Sequence, residues 1–410
     1  MEPTPIHPRR ILIRGANWLG DAVMTTPALL RLREKFPQAQ LAVLTPDKLA
    51  GLWSHHPAVD EVISITPAES PWTVANRIRA NSPARFRSGP PATVEPGGPF
   101  ALPVGTRPGT AGPAFELALV LPNSPRSALE VFLAGIPQRV GYARPWRNWF
   151  LTRAIASRPG AVKMRKRPLA EIRSLTAAES NGAGNSVHRV LANPASHTHQ
   201  IHEYLHLAAA LGANPEPLPP QLCVPPGESE AARTKFRLGA ASGPILGLNP
   251  GAEYGPAKRW PVAHFIAAAR EIHRQVGGVW LLFGGKGDIE LTGQIAAALQ
   301  AAGVPLHDLA GRTTLRELMA LLPLCRVLLT NDTGPMHVAA ALGTPVVVPF
   351  GSTSPELTGP GLPGDSQHQL LRSGAPCSPC FLRQCPIDFR CLRGLGAERV
   401  MAAVAEVLRR

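Results

Sequence analysis

The chain has 410 residues, 44% hydrophobic and 17% charged, which excludes a fibrous or wholly disordered protein and is long enough for two globular cores. Lys and Arg total 42 against 28 Asp and Glu, and the net charge of +14 points to acidic partners: nucleic acid, anionic lipid or a phosphorylated substrate. The opening MEPTPIHPRR lacks the apolar core of a signal peptide and no apolar run reaches the roughly 18 residues of a membrane span, so the expected location is cytoplasmic.

In chain order, the apolar run 11–13, the turn from Gly15 to Gly20 and the amphipathic stretch 22–36 predict strand, loop and helix. Residues 41–44, 62–65 and 117–121 read as further buried strands, and 127–134 as the helix after the last of them. Residues 66–114 hold ten prolines and six glycines with no sustained period, and are expected to be a disordered insertion. A second weak segment, 157–198, overlaps the basic stretch 139–173, which carries ten Lys and Arg and one acid, Glu171. Helical order returns over 201–211, and the proline-rich 214–222 reads as a linker.

Beyond it, strands at 245–248, 279–283, 327–330 and 346–350 alternate with helices at 261–275, 289–302, 315–322 and 335–342. Such alternation predicts a parallel sheet covered on both faces. The expected fold class is therefore α/β, two Rossmann-like doubly wound domains facing across a cleft, with ligands at the loops that follow strands. The domain boundaries expected are 1–213, the linker 214–222, 223–391, and a terminal segment 392–410.

Three loops concentrate chemistry. The segment from Leu328 to Gly343 is strand, polar turn and helix, with Asp332, Thr333 and Gly334 at the turn and His337 one turn into the helix. A helix start of this kind aims free N–H groups at an anion; the alternative is that Asp332 or Thr333 merely caps the helix and His337 packs. The loop 248–261 is glycine-rich and holds Gly251, Ala252 and the cations Lys258 and Arg259, which suit a pyrophosphate or are simply solvated. Asp21 follows Gly20 where the first loop becomes a helix, a place for a general base or for a plain N-cap. Late in the chain, Cys377, Cys380, Cys385 and Cys391 supply enough thiolates for a structural zinc without the paired spacing of a zinc ribbon, so a metal and reduced structural thiols both stay open.

The runs from Gly15 to Met24, Leu121 to Leu129, Gly251 to Pro261 and Asn331 to Leu342, with the later Cys-Ser-Pro-Cys-Phe segment, resemble the lipopolysaccharide heptosyltransferases of glycosyltransferase family nine, and within it the heptosyltransferase II group. The resemblance covers most of the chain except 66–114 and 157–198. It implies a GT-B architecture with the acceptor in the first domain and the nucleotide sugar in the second, and a C-terminal helix, 397–408, that crosses back onto the first domain.

Position by position, it implies that Asp21 is the general base and that Lys258 meets phosphate. Gly251, Ala252, Asp332, Thr333, Gly334 and His337 are then donor contacts, and Asn123 and Arg126 lie toward the acceptor. The activity implied is metal-independent inverting transfer of heptose from ADP-heptose to a heptose of the lipopolysaccharide inner core, with no cofactor. Another acceptor, as in heptosyltransferase I, is the nearest alternative.

The basic stretch suggests peripheral contact with the anionic inner face of the inner membrane. A nucleic-acid binder is the rival class, but the most basic part, 158–173, lacks interleaved aromatics and no nucleic-acid partner is expected. A nicotinamide dehydrogenase is disfavoured because no G-x-G-x-x-G follows the first strand.

Overall fold

The computed structural model describes residues 8–81, 113–179, 197–239 and 243–410. The first half forms strands β1 (Arg10–Arg14), β2 (Gln40–Pro46), β3 (Glu61–Ile65), β4 (Leu117–Val120), β5 (Gln138–Tyr142) and β6 (Arg153–Ile155). The second forms β7 (Ile245–Asn249), β8 (Val279–Leu282), β9 (Leu306–Asp308), β10 (Leu328–Thr330), β11 (Val346–Pro349) and β12 (Gln369–Leu371). Every strand pair is parallel, and the orders are β3-β2-β1-β4-β5-β6 and β12-β11-β10-β7-β8-β9. Each sheet thus reverses direction between its first and fourth strands, β1/β4 and β7/β10, and these two crevices are where a doubly wound sheet takes ligands. Central strands such as β1 and β4 are apolar on both faces because helices cover both.

The two domains are packed against each other. One apolar cluster runs without interruption from Ile11, Ile13 and Val23 of the first sheet's layers to Met336, Val338 and Phe350 of the second. The short helix Leu19–Met24 lies on the helix Gly334–Ala341, and Arg316 reaches from the second domain to the carbonyls of Gly51 and Ser54.

Several expectations need correction. The helix expected over 22–36 is two helices, Leu19–Met24 and Thr26–Lys35, joined at Thr25. The insertion 66–114 is not wholly unstructured: Pro71–Ala80 is a helix whose N-cap, Ser70, accepts a hydrogen bond from the Thr73 amide. Val74, Ala75 and Ile78 of that helix are fully buried against the first sheet. Residues 82–112 lie outside the described part. Within the basic stretch, Arg139 and Arg153 lie in β5 and β6, where strand pairing and the apolar Val140 and Tyr142 outweigh the local charge.

The segment 157–198 is likewise partly ordered, in the helix Leu169–Glu179, while 180–196 lie outside the described residues. This helix does not serve the first domain. Ile172 joins the second domain's core with Trp260, Phe265 and Leu392, and the Arg167 amide donates to the Cys380 carbonyl at 3.0 Å. A strap from the first half therefore lies on the second domain, which the boundary at 213 misses.

Among the described residues, the C-terminal helix, Ala397–Arg409, packs on the second domain and does not cross back onto the first. Its apolar stripe of Val400, Val404 and Val407 packs on the helix Val262–Val276 and on β11 and β12, because Phe265, Ala268, Ala269 and Ile272 present a matching face there. Among the described residues, no helix is long and apolar enough to cross a membrane.

Candidate active site

The three loops singled out by sequence converge where the two sheet crevices face each other. The loop after β1 carries Gly15 to Gly20, and Asp21 sits in the first turn of the helix Leu19–Met24. Capping does not explain it: the N-cap position is Trp18, and the Asp21 carboxylate caps nothing. Instead Oδ1 accepts a hydrogen bond from Gln200 Nε2 at 3.0 Å, and Oδ2 has no hydrogen-bond partner among the described residues. Burial pushes the Asp21 carboxyl above its ordinary value; the Gln200 bond and the nearby Lys258 charge pull it back, and Asp332 pushes it up again. Lys258 and Asp332 belong to the other domain, so the Asp21 carboxyl is set electrostatically by both halves of the cleft.

Across the cleft, Asp332 follows β10 and is almost fully buried. It pairs with Lys258 Nζ at 2.7 Å and accepts from the Thr353 hydroxyl. Thr333 holds the N-cap position of the helix Gly334–Ala341 without a side-chain cap bond, so neither residue acts as the cap. Pro335 has no N–H and the Met336 amide donates to the Thr333 carbonyl at 3.0 Å, which leaves the Gly334 amide unbonded among the described residues at the helix start.

Asn331 staples this turn to the glycine-rich loop: its Oδ1 accepts from the Trp260 amide at 2.9 Å and its Nδ2 donates to the Pro250 carbonyl at 2.7 Å. Gly251 leaves room for the Asp288 carboxylate, since a Cβ there would lie 2.4 Å from Oδ2 and displace it. Asp288 in turn meets Arg259 at 3.4 Å. Ala252 is buried beside them.

His337 is buried, and desolvation pushes its imidazole down to about 4, so it is neutral at pH 7. Its ring lies against the first domain: a Cβ on Gly20 would sit 2.7 Å from Cδ2, and one on Gly334 would sit 2.8 Å from Leu19. Gly20 and Gly334 therefore let the two helix starts approach closely, one residue away from Asp21 on one side and two from Asp332 on the other.

Asn123 and Arg126 stand exposed at the neighbouring loop after β4, on the far wall of the first crevice. Asn123 Oδ1 accepts from Arg147 at 3.3 Å, and Arg126 pairs with the fully buried Glu130 at 3.1 Å. Glu130 also holds Arg14 at 2.8 Å, which ties the β1 and β4 loops together through buried charge. Sequence reasoning missed Gln200, Thr353 and Asp288; each lies far along the chain from the group it touches, and only the fold brings them in.

The late cysteines line a small cavity with Ile172, Ser352 and Arg390, behind the donor-side loops. Burial pushes Cys377 and Cys380 up and Cys391 up to about 12, so these thiols stay protonated at neutral pH. Among the described residues, no group of three or more His, Cys, Asp or Glu is arranged to hold a metal ion.

This geometry has close parallels. A sequence profile of glycosyltransferase family 9 (heptosyltransferase) matches residues 173–389. Lipopolysaccharide heptosyltransferase 2 of Salmonella typhimurium is 30% identical over 353 residues, covering 86% of this chain and 85% of the relative. The Escherichia coli heptosyltransferase 2 is 30% identical over 359 residues with the same coverage. The solved structure of E. coli ADP-heptose lps heptosyltransferase II superposes with a TM-score of 0.69 at 26% identity, covering 98% of both chains. A family 9 glycosyltransferase from Veillonella parvula gives a TM-score of 0.69 at 19% identity, a likeness of fold. With both sheets, the facing crevices and the paired loops in place, the chain belongs to glycosyltransferase family 9, the heptosyltransferases, and has their GT-B fold.

Proposed function

We propose that this chain transfers L-glycero-D-manno-heptose from ADP-heptose to a heptose of the lipopolysaccharide inner core, by a single inverting displacement. The observation that carries it is the Asp21 carboxylate, oriented by Gln200 through one oxygen and open at the other, facing the Lys258–Asp332 pair. Asp21 accepts the proton of an acceptor hydroxyl as that oxygen attacks the anomeric carbon. ADP leaves toward Lys258 and the helix start at Gly334, which stabilise charge that develops only as the bond breaks. Gly251, Ala252, Asp332, Thr333 and His337 line the donor side, and Asn123 and Arg126 the acceptor side.

The similarity to the heptosyltransferase 2 relatives and to the E. coli heptosyltransferase II structure supports this donor and acceptor over the heptosyltransferase I alternative. The reading places the enzyme in the cytoplasm, in peripheral contact with the anionic face of the inner membrane. Incubation with ADP-heptose and a panel of truncated lipopolysaccharide cores tests it. One added heptose on a core that already bears a first heptose is expected; addition only to a heptose-free core would transfer the assignment to the alternative acceptor.

A further inference from the structure

The connection from β5 to β6 carries a feature that neither sheet packing nor catalysis uses. Trp146 is 77% exposed and Trp149 is 80% exposed, whereas Trp53, Trp260 and Trp280 are fully buried. The two rings form an edge-to-face pair with centroids 6.4 Å apart. Trp146 is held outward by a left-handed backbone, φ +64°, a conformation a bulky residue adopts only where its surroundings impose it.

The turn beneath them is tied down by hydrogen bonds. Arg147 is fully buried, donating to the Pro122 carbonyl at 2.8 Å, and the Asn148 side chain accepts from the Arg144 amide at 2.9 Å. Phe150 packs on Phe132 of the helix Pro125–Leu133, with ring centroids 5.5 Å apart. Two large aromatic rings are thus presented to solvent on a scaffold that does not bend to bury them.

Their surroundings are cationic. Residues 138–158 contain five arginines and no acid; Arg147 is buried in the turn and Arg158 pairs with Glu203 at 3.2 Å, which leaves Arg139, Arg144 and Arg153 without an ion pair among the described residues. The strap that follows adds Lys163 and Lys166, both exposed and without an ion-pair partner among the described residues. Arg165 and Arg167 are spent otherwise: Arg165 pairs with Glu171 at 2.7 Å, and Arg167 donates to the Pro376 carbonyl at 3.3 Å.

We infer that Trp146 and Trp149 are the membrane anchor of this enzyme, seating the first domain in the interface of an anionic lipid bilayer. Tryptophan is the side chain best suited to the headgroup level, with an apolar body and one N–H donor. The arginine-rich surround and the free lysines attract anionic headgroups, and basic charge plus an apolar insertion supplies the two signals that stable peripheral binding needs. The connection rides on the helix Pro125–Leu133, whose start bears Arg126 at the acceptor-side mouth, so an anchor here holds that mouth near the surface where a lipid-borne acceptor lies. The inference rests on the peripheral contact proposed above and names the residues that make it.

The test is vesicle flotation of the full chain with phosphatidylglycerol/phosphatidylethanolamine liposomes, with brominated lipids to quench tryptophan fluorescence. Wild type is expected to float and to be quenched. Trp146→Ala/Trp149→Ala is expected to bind about tenfold or more weakly and to lose most of the quenching, while the double Phe variant keeps most of the binding. Lys163→Glu/Lys166→Glu is expected to weaken binding mainly at low salt.

ADP affinity and transfer to a soluble truncated core should be unchanged in the tryptophan variants. That control separates loss of the anchor from a misfolded protein and from failure of the transfer reading. Equal flotation of wild type and the Ala variant overturns the anchor, as does wild type that fails to float. A concentration-dependent dimer abolished by the Ala pair would make this face an interface between copies and overturn it too.

Discussion

The two sheets share one strand order, yet their switch-point crevices are built differently. In the second domain the loops are bonded to one another: Asn331 to the Pro250 carbonyl and the Trp260 amide, Lys258 to Asp332, Thr353 to Asp332, and Asn249 to Thr330. In the first, Glu130 ties the β1 and β4 loops by holding Arg14 and Arg126, but Asp21 itself has a single side-chain partner among the described residues, Gln200, and Asn123 and Arg126 are exposed. A site that must stabilise a departing diphosphate benefits from dipoles fixed before the reaction. A base must instead keep one oxygen free for an incoming hydroxyl. On the proposed function, the difference in bonding between the halves matches a division of labour between donor and acceptor.

The sharpest way to break this comparison is Asp21→Asn. If Asp21 is the proton acceptor, transfer falls by about a hundredfold or more, equivalent to about 2.7 kcal/mol in the barrier, with ADP affinity nearly unchanged. Single-turnover transfer rates alongside calorimetric ADP titration measure both. Near-normal transfer would leave the first crevice without a catalytic role.

A second test addresses the junction at which the halves meet. Gly20→Ala puts a methyl 2.7 Å from the His337 ring, so the ring or the helix starts must shift by part of an ångström. Transfer is expected to fall about tenfold, because misplacement on this scale costs orientation in the reacting complex. ADP affinity should stay within about twofold, since the donor loops are bonded among themselves. Unchanged transfer would show that the reacting state is more open than this one.

Lys258→Ala should act in the opposite sense to Asp21→Asn. It removes a counter-charge from a partly buried place and leaves Asp332 with Thr353 alone, so ADP affinity is expected to drop about tenfold. Unaltered ADP affinity by calorimetry would return Lys258 to a purely structural pairing with Asp332.

Legibility in the sequence followed the same division. Asp21, Lys258 and Asp332 could be placed because each lies in a strand–loop–helix run whose period is plain, and such loops open into the cleft. Their partners were hidden: Gln200 and Thr353 stand in stretches with no local signature, and only tertiary packing brings them to the carboxylates they touch. Strands β5 and β6 were lost because Arg139 and Arg153 masked short apolar runs, and the helix Pro71–Ala80 because the surrounding proline and glycine drowned its buried Val74, Ala75 and Ile78. For the C-terminal helix the apolar stripe foretold burial without saying against what, since a stripe of valines fits either domain.

The smallest expected effect concerns Gln200, which bonds to both halves. Its amide N–H donates to the Leu357 carbonyl of the second domain at 2.9 Å, while its side chain donates to Asp21 at 3.0 Å and to the Tyr204 hydroxyl at 2.8 Å. On the proposed function, Gln200 therefore positions Asp21 from a backbone bonded to the second domain. Its bond favours the charged carboxylate and partly offsets the upward push of burial, so Gln200→Leu should raise the Asp21 pKa further. The reacting form is the ionised one, so the rate falls as pH drops through that pKa, and the acid limb of kcat should move to higher pH in the variant. Well above the limb only orientation is lost, and kcat is expected to fall by about threefold to tenfold with ADP affinity unchanged. A role confined to packing would lower kcat by the same factor at every pH and leave the limb where it was, and that profile would remove Gln200 from the catalytic arrangement.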